Sequence, residues 1–173
     1  AFVNTMQSGG WLVTGLEPDA TAAKQALLKY NIQLQPADTI YTLGSHQFDA
    51  ITMWHVLEHV PDLNSYISRL HKLLKDNGRL IVAVPNYKSY DAFYYKSFWA
   101  GFDVPRHLWH FDQNSMSNLF NKNNMHLEAI APMKFDAFYV SLLSEKYKTG
   151  KMNYLRALYV GLLSNLKANR TKE

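Results

Sequence analysis

The sequence predicts an α/β protein with a doubly wound, mostly parallel sheet. Short apolar runs alternate along the chain with segments whose apolar residues repeat every three or four positions. Of the 173 residues, 47% are hydrophobic and 18% are charged, which is typical of one folded domain with a real core. The chain has no cysteine, which excludes disulfides, thiolate metal sites and a cysteine nucleophile and favours a reducing compartment.

The N-terminal part of the chain is predicted to begin with a buried strand and a helix. Residues 11–16 are mostly apolar and predict the strand, which ends because Pro18 cannot continue a central strand. Asp19 is suited to cap a helix, and residues 21–30, rich in Ala, Lys and Leu, predict that helix. Two further strands are predicted at residues 32–34 and 48–53.

The clearest predicted helix lies in the middle of the chain. Apolar residues repeat at helical spacing over residues 66–74, and Asn77-Gly78 predicts the end of the helix. Residues 79–84 are almost continuously apolar, which is typical of a strand covered on both faces. The remaining predicted elements are a helix at 114–122, a strand at 126–130 that continues after Pro132 through 135–143, and an amphipathic segment at 152–167.

Residues 87–111 differ in composition, because they hold ten of the 24 aromatic residues of the chain. A long irregular connection of this kind is typical of a lid, a binding loop or an insertion. We expect it to bind an apolar or aromatic substrate through Tyr94, Phe98 and Trp99, with Arg106 pairing with an anionic acceptor. The alternatives are a satellite core over the sheet for the aromatic residues and a structural ion pair for Arg106.

Three segments occur in an order that resembles class I S-adenosylmethionine-dependent methyltransferases. They are GLEPD at 15–19, FDAI at 48–51 with HVLEHVPD at 55–62, and LLKDNGRL at 73–80. The resemblance is to motifs of the second, fourth and fifth strands, and more narrowly to the small-molecule branch that includes the ubiquinone-pathway methyltransferases. DVPRHLWHF at 103–111 also resembles a segment of that branch. The resemblance, over roughly residues 1–130, implies a Rossmann-like sheet, S-adenosylmethionine as cofactor, S-adenosylhomocysteine as product, and methyl transfer to a small molecule.

The resemblance also implies which residues bind the cofactor. Glu17, at the end of the second strand of the family, is expected to accept both ribose hydroxyls, with Pro18 beside it. Asp38 is a candidate for the adenine amino group, although it is equally suited to a turn. Trp54 and His55 follow the fourth strand, where the family places residues beside the methionine part of the cofactor.

The resemblance further predicts elements that the 173 residues do not contain. The first strand of the family and its glycine-rich turn belong immediately before Ala1, and the last strand has no counterpart before Glu173. We therefore expect a domain clipped at both ends. Residues 1–145 are predicted to form the methyltransferase-like domain, with the aromatic segment at 87–111, and residues 146–173 a basic, amphipathic C-terminal segment of the same domain.

Histidines supply the candidate catalytic groups. His55, His107 and His110 are general-base candidates, because histidine titrates near neutral pH. His55, Glu58 and His59 also resemble a Glu-x-x-Glu-His motif that binds a divalent ion in some relatives, with His107 or His110 as a further ligand. We favour a structural role for Glu58 and His59, and thus predict no metal.

The C-terminal residues are basic, with seven Lys or Arg and one acid from Lys146 to Glu173. This charge permits contact with a membrane surface, but we expect no nucleic-acid partner, because no base-methylating motif follows the fourth strand. Without a signal-peptide pattern or a membrane-spanning run, a cytoplasmic location is expected. The oligomeric state is not predicted. The alternative functions are a non-catalytic binding module and a nicotinamide-dependent oxidoreductase, whose Tyr-x-x-x-Lys pair is matched only by Tyr147 and Lys151.

Overall fold

The computed structural model describes residues 1–171 and divides into two compact units, residues 1–47 and the residues from Phe48 onward. The first unit contains helices α1 (Phe2–Ser8) and α2 (Ala20–Tyr30) and a 3-10 turn at Ala37–Tyr41. The Asp19 carboxylate accepts the backbone N–H of Ala22 at 2.8 Å and so begins α2 as predicted. Asn31 ends this helix in the left-handed conformation, with φ of 53°.

Two predicted strands of the first unit do not form. Residues 11–16 have no ladder partner beyond one parallel bridge between Leu16 and Gln35, and Leu12 is fully exposed. Residues 32–34 likewise lack strand structure, although Ile32 is buried. The prediction of a buried strand at 11–16 is wrong for the described residues, because an apolar run becomes a strand only where a second strand satisfies its backbone groups.

The second unit contains the parallel sheet. Strand β1 (Phe48–Trp54) is followed by helix α3 (Leu63–Leu73) and strand β2 (Leu74–Ala83), and β1 pairs with β2 in parallel. The register places Ile51 opposite Leu80 and Trp54 opposite Ala83, so both strands end at the same edge. A parallel pair requires such a crossover, and α3 buries its predicted apolar face through Leu63, Ile67, Leu70 and Leu73.

Strand β2 differs from its prediction in two ways. It begins at Leu74, directly after α3, and not at Arg79, because residues 74–78 continue in extended conformation through Asn77-Gly78. The prediction that it is covered on both faces is also wrong for the described residues, since Ile81 is 47% exposed. The described sheet has the two strands β1 and β2.

The chain after β2 is helical. It contains α4 (Tyr90–Tyr95), 3-10 turns at Lys96–Phe98 and Ala100–Phe102, α5 (Gln113–Asn121), α6 (Lys134–Thr149) and α7 (Tyr154–Thr171). Helices α5 and α7 are close to their predicted positions. The strand predicted at 126–130 and 135–143 is wrong: residues 126–130 have no regular structure, and the second stretch lies in α6. A short apolar run does not distinguish strand from helix, and here the buried Ser141, Ser144 and Glu145 have helical spacing.

Helices α4, α6 and α7 pack together around an aromatic cluster. Ala92, Tyr95, Trp99 and Val160 are buried there, with Tyr94 and Phe102 packed against them. The Asp91 carboxylate is also buried and accepts hydrogen bonds from the Trp99 indole and the Ser164 hydroxyl, both at 2.7 Å. None of the helices within residues 1–171 combines the length and apolarity that crossing a bilayer requires.

Candidate functional site

The segment after β1 forms the centre of the candidate site. The backbone N–H of His55 donates to Ala83 O at 3.0 Å and extends the pairing of β1 with β2 by one step. His55 then takes a φ of 54°, a rare backbone conformation for a non-glycine residue, and the chain turns away from the sheet. A 3-10 turn at Leu57–His59 follows, with Leu57 and Glu58 fully buried.

His55 lies between two carboxylates. Its Nε2 is 2.9 Å from Asp136 Oδ2 on α6, and its Nδ1 is 3.5 Å from Glu58 Oε1. The nearby Glu58 carboxylate, followed by the charge and hydrogen bond of Asp136, raises the pKa of His55 above its ordinary value, against the opposing effect of partial burial. The carboxylate at each ring nitrogen therefore stabilises the protonated imidazolium form of His55.

Glu58, His59 and His107 form a cluster of side chains that could hold a metal ion. One potential ligand atom from each lies within 4.8 Å of the others. The Glu58 side chain is 1% exposed, and neither of its carboxylate oxygens has a hydrogen-bond partner. The approaches from His55 at 3.5 Å and from His107 Nε2 at 3.9 Å are too long for good hydrogen bonds. A buried carboxylate without a partner is costly, and a cation would relieve that cost.

The two histidines of this cluster are oriented by backbone carbonyls. Nδ1 of His59 lies 2.9 Å from Arg106 O, and Nδ1 of His107 lies 2.9 Å from Gly101 O. A carbonyl oxygen can only accept, so each Nδ1 carries the proton and each neutral ring has its lone pair on Nε2. Metal-binding histidines are typically held in this way. The arrangement fits a divalent ion bound by Glu58, His59 and His107, which the sequence analysis weighed but did not favour.

The DVPRHLWHF segment is tied to the same loop. Backbone N–H of Leu108 donates to Glu58 O at 2.9 Å, and the Trp109 indole donates to Val60 O at 2.7 Å. The structure thus brings His107 near Glu58, as the metal-binding alternative of the sequence analysis would require. His110 instead directs its Nε2 at Phe102 O, at 2.9 Å, and is not part of the cluster.

Arg106 forms an ion pair within its own segment. Its guanidinium donates to Asp103 Oδ1 at 2.7 Å, and this contact raises the pKa of Arg106. The side chain is exposed on the same segment as His107.

The predicted aromatic substrate residues occupy different environments. Trp99 is buried in the cluster with its indole bound to Asp91, so its contacts are with the protein itself. Tyr94 is half-buried, and Phe98 is 44% exposed. Trp99 and the buried Tyr95 belong to a packed aromatic core, which was the alternative to substrate binding. Phe98 retains an exposed ring.

In the first unit, the predicted cofactor-binding residues follow the two sides of the parallel bridge between Leu16 and Gln35. The half-buried Glu17 donates its backbone N–H to Gln35 O at 2.9 Å, and its Oε1 accepts the N–H of Asp19 at 3.0 Å. Pro18 and Asp38 are exposed, with Asp38 in the first turn of the 3-10 segment. A carboxylate after a parallel pairing can accept hydroxyl hydrogen bonds, which fits the predicted ribose contact. In the second unit, Trp54 is the last residue of β1 and is 41% exposed.

An open groove of about 510 Å³ lies beside the loop after β1. Its walls come from the end of that loop, the start of α3, and α5, through Pro61, Asp62, Leu63, Asn64, Trp109, Ser115, Asn118, Leu119 and Lys122. None of the four predicted substrate residues lines it. The sequence interpretation also missed Asp136, which lies 81 positions from its partner His55 and in a segment predicted as a strand.

Comparisons with known proteins agree with this architecture. The methyltransferase domain family matches residues 1–130. The ubiquinone biosynthesis O-methyltransferase of Coxiella burnetii is 32% identical over 93 residues, which is 50% of this chain and 39% of that protein. The matched stretch therefore covers well under half the length of that relative.

Two solved structures share the fold. A SAM-dependent methyltransferase from Archaeoglobus fulgidus gives a TM-score of 0.60 at 14% identity, covering 85% of this chain and 72% of that one. A SAM-dependent methyltransferase from Thermotoga maritima, described as a possible histamine N-methyltransferase, gives 0.54 at 21% identity, with 63% and 53% covered. These similarities confirm the Rossmann-like α/β fold class. With the family match over residues 1–130, they confirm the predicted recognition: the chain belongs to the methyltransferase domain family of class I S-adenosylmethionine-dependent methyltransferases.

Proposed function

We propose that this protein catalyses S-adenosylmethionine-dependent methyl transfer to a small-molecule acceptor. The observation that carries the proposal is the loop after β1, which gathers His55, Glu58 and His107 at the carboxyl end of a parallel strand pair. Ligands of open α/β sheets bind at that end of the strands. When bound, the cofactor supplies a methyl group on a sulfonium, which passes to the acceptor and leaves S-adenosylhomocysteine.

Each predicted cofactor residue has a separate role in this proposal. Glu17 accepts the ribose hydroxyls through its carboxylate, with Pro18 shaping the turn beside it. Asp38 accepts the adenine amino group. Trp54 and His55 lie beside the methionine part of the cofactor.

The acceptor side of the proposal rests on His107 and on the segment around it. The fixed Nδ1–H leaves Nε2 of His107 as an acceptor, so this ring is better suited than His55 to remove a proton from an acceptor hydroxyl. His110 has the opposite tautomer, with its lone pair on Nδ1, and is the second candidate base. Tyr94, Phe98 and Arg106 are the proposed acceptor contacts, and Trp99 supports them from the core.

A divalent ion at Glu58, His59 and His107 is a second feature that we propose for this site. The support is the pair of unpartnered Glu58 oxygens together with the two carbonyl-bound histidines. Such an ion would orient and polarise an oxygen of the acceptor. A His107 that binds the ion does not also act as the base, and His110 then takes that role.

Calorimetric binding of S-adenosylhomocysteine to the full-length protein tests the proposed function. We expect saturable binding that weakens about tenfold or more in Glu17→Gln, because hydrogen bonds to a charged group contribute about 1.5–3 kcal/mol. Glu128→Gln is the matched control, since Glu128 is an exposed carboxylate paired with Arg79. Absence of binding to the wild type would contradict the proposal. Binding without transfer to any acceptor would instead support the non-catalytic binding module, and binding of a nicotinamide cofactor would support the oxidoreductase.

A further inference from the structure

Helix α7 has an apolar face directed at solvent. Six large side chains on this face are between 50% and 82% exposed, and we call them the α7 stripe: Tyr154, Leu155, Leu158, Tyr159, Leu162 and Leu166. They repeat at spacings of three and four residues, so they lie along one side of the helix. Isolated exposed apolar residues are common, but a continuous row of six over three turns is typical of an interaction surface.

The opposite side of α7 already packs on the protein. Ala157, Val160 and Ser164 are buried against α4 and α6, and a side chain at Gly161 would meet the Phe138 ring of α6 at 2.5 Å. The core-facing side of the helix is thus fixed by close packing. The α7 stripe is a second apolar side that this packing does not use, and burying it requires another partner.

The sequence around the stripe is strongly basic. Residues 146–171 contain six Lys or Arg and no Asp or Glu. Three of these cations lie on α7 itself and three precede it, at Lys146, Lys148, Lys151, Arg156, Lys167 and Arg170. At 100° per residue, Arg156 and Arg170 lie along one edge of the stripe. Lys148 and Lys167 lie over the rings of Tyr94 and Tyr90.

From these observations we propose that the α7 stripe binds the surface of an anionic lipid membrane. Leucine side chains would enter the boundary between headgroups and acyl chains, and the tyrosine hydroxyls would remain at the headgroup level. The basic residues supply attraction to anionic headgroups. Charge argues against a second copy of this chain, because a two-fold contact through the stripe would bring the cations of both copies together. The proposal does not depend on the proposed methyl transfer.

Vesicle co-sedimentation of the full-length protein tests the proposal. The probes are vesicles of phosphatidylcholine alone and of phosphatidylcholine mixed with phosphatidylglycerol, at low and at high salt. We expect binding to the mixed vesicles that weakens with salt, and weak binding to phosphatidylcholine. The variant Leu155→Gln/Leu158→Gln/Leu162→Gln should bind at least about tenfold more weakly, because apolar burial sets the partition. Arg156→Gln/Arg170→Gln should lose most of the preference for anionic lipid.

A matched control distinguishes vesicle binding by the α7 stripe from vesicle binding by any exposed leucine. Leu27→Gln/Leu28→Gln changes two exposed leucines of α2 and should leave vesicle binding unchanged. Circular dichroism verifies that each variant is folded. The proposal is overturned if the wild type does not sediment with mixed vesicles, or if the triple variant sediments as the wild type does. It is also overturned if light scattering shows a dimer that the triple variant converts to a monomer, without vesicle binding.

Discussion

Nε2 of His55 lies 2.9 Å from Oδ2 of Asp136, which joins the loop after β1 to helix α6. On its other side, the same ring approaches the buried Glu58 carboxylate at 3.5 Å. A histidine with a carboxylate at each nitrogen is favoured as a cation. Because both ring nitrogens are directed at carboxylates, the charged ring has no lone pair for a general base and no free N–H for an anionic ligand.

Asp136→Asn should lower the pKa of His55 toward its ordinary value, because one of the two carboxylates is lost. NMR titration of the ring protons measures this, with the resonance assigned from His55→Gln. Because the folded pKa is raised, the stabilisation from the charged ring is complete below the ordinary value of 6.5 and is lost as the pH rises through the folded pKa. The stability difference between wild type and Asp136→Asn should therefore be largest in mild acid. An unchanged pKa in Asp136→Asn would show that the contact does not persist in solution.

Addition of Mg²⁺, Mn²⁺ or Zn²⁺ should raise the melting temperature of the wild type. An ion bound by the folded state alone stabilises it by about 2.7 kcal/mol at a concentration of about 100 Kd. Glu58→Gln should abolish the shift and, without metal, be at least as stable as the wild type, because it removes an unpaired buried carboxylate. Glu128→Gln should respond to metal as the wild type does. If no ion shifts the melting temperature, Glu58 has the structural role expected from the sequence.

Features determined by neighbouring residues could be predicted from the sequence. Helix α2 begins at its Asp19 cap, and α3 buries the apolar face expected from its spacing. The loop after β1 was also located correctly, because its motif is contiguous.

Features that depend on distant partners could not be predicted. The apolar residues 11–16 require a neighbouring strand, and the contact of Asp136 with His55 leaves no pattern in the sequence. The same reason explains why Trp99 was interpreted as a substrate contact. Its indole donates to Asp91, and Asp91 also accepts a hydrogen bond from Ser164, which reaches it only because α7 packs against α4.

Asp91→Ala should destabilise the protein strongly. The substitution leaves two buried donors without an acceptor, the Trp99 indole and the Ser164 hydroxyl. Each buried unsatisfied group costs about 1–3 kcal/mol, so the free energy of unfolding should fall by about 2–6 kcal/mol. Ser164→Ala removes one hydrogen bond and should cost less, about 1 kcal/mol. Urea denaturation measures both, and equal losses in the two variants would contradict the shared role of this carboxylate.

Asp112 should make folding sensitive to acid. It caps α5 by accepting the Ser115 N–H at 2.8 Å and pairs with the Lys88 ammonium. Lys88 first, and then Ser115, lower the pKa of Asp112 from 3.8 to about 2. A lowered folded pKa means that the stabilisation is present above 3.8 and is lost as the pH falls toward about 2.

Asp112→Asn tests this contribution, because asparagine retains an oxygen that can cap the helix but removes the charge. The difference in the free energy of unfolding between wild type and Asp112→Asn should be constant near neutral pH and shrink toward zero as the pH falls from 3.8 to about 2. Asp112→Ala removes the cap as well, so a loss of about 1 kcal/mol should remain even in acid. Urea denaturation at several pH values measures all three proteins. A difference between wild type and Asp112→Asn that does not change with pH would mean that hydrogen-bond geometry, and not the charge paired with Lys88, accounts for the stabilising effect of Asp112.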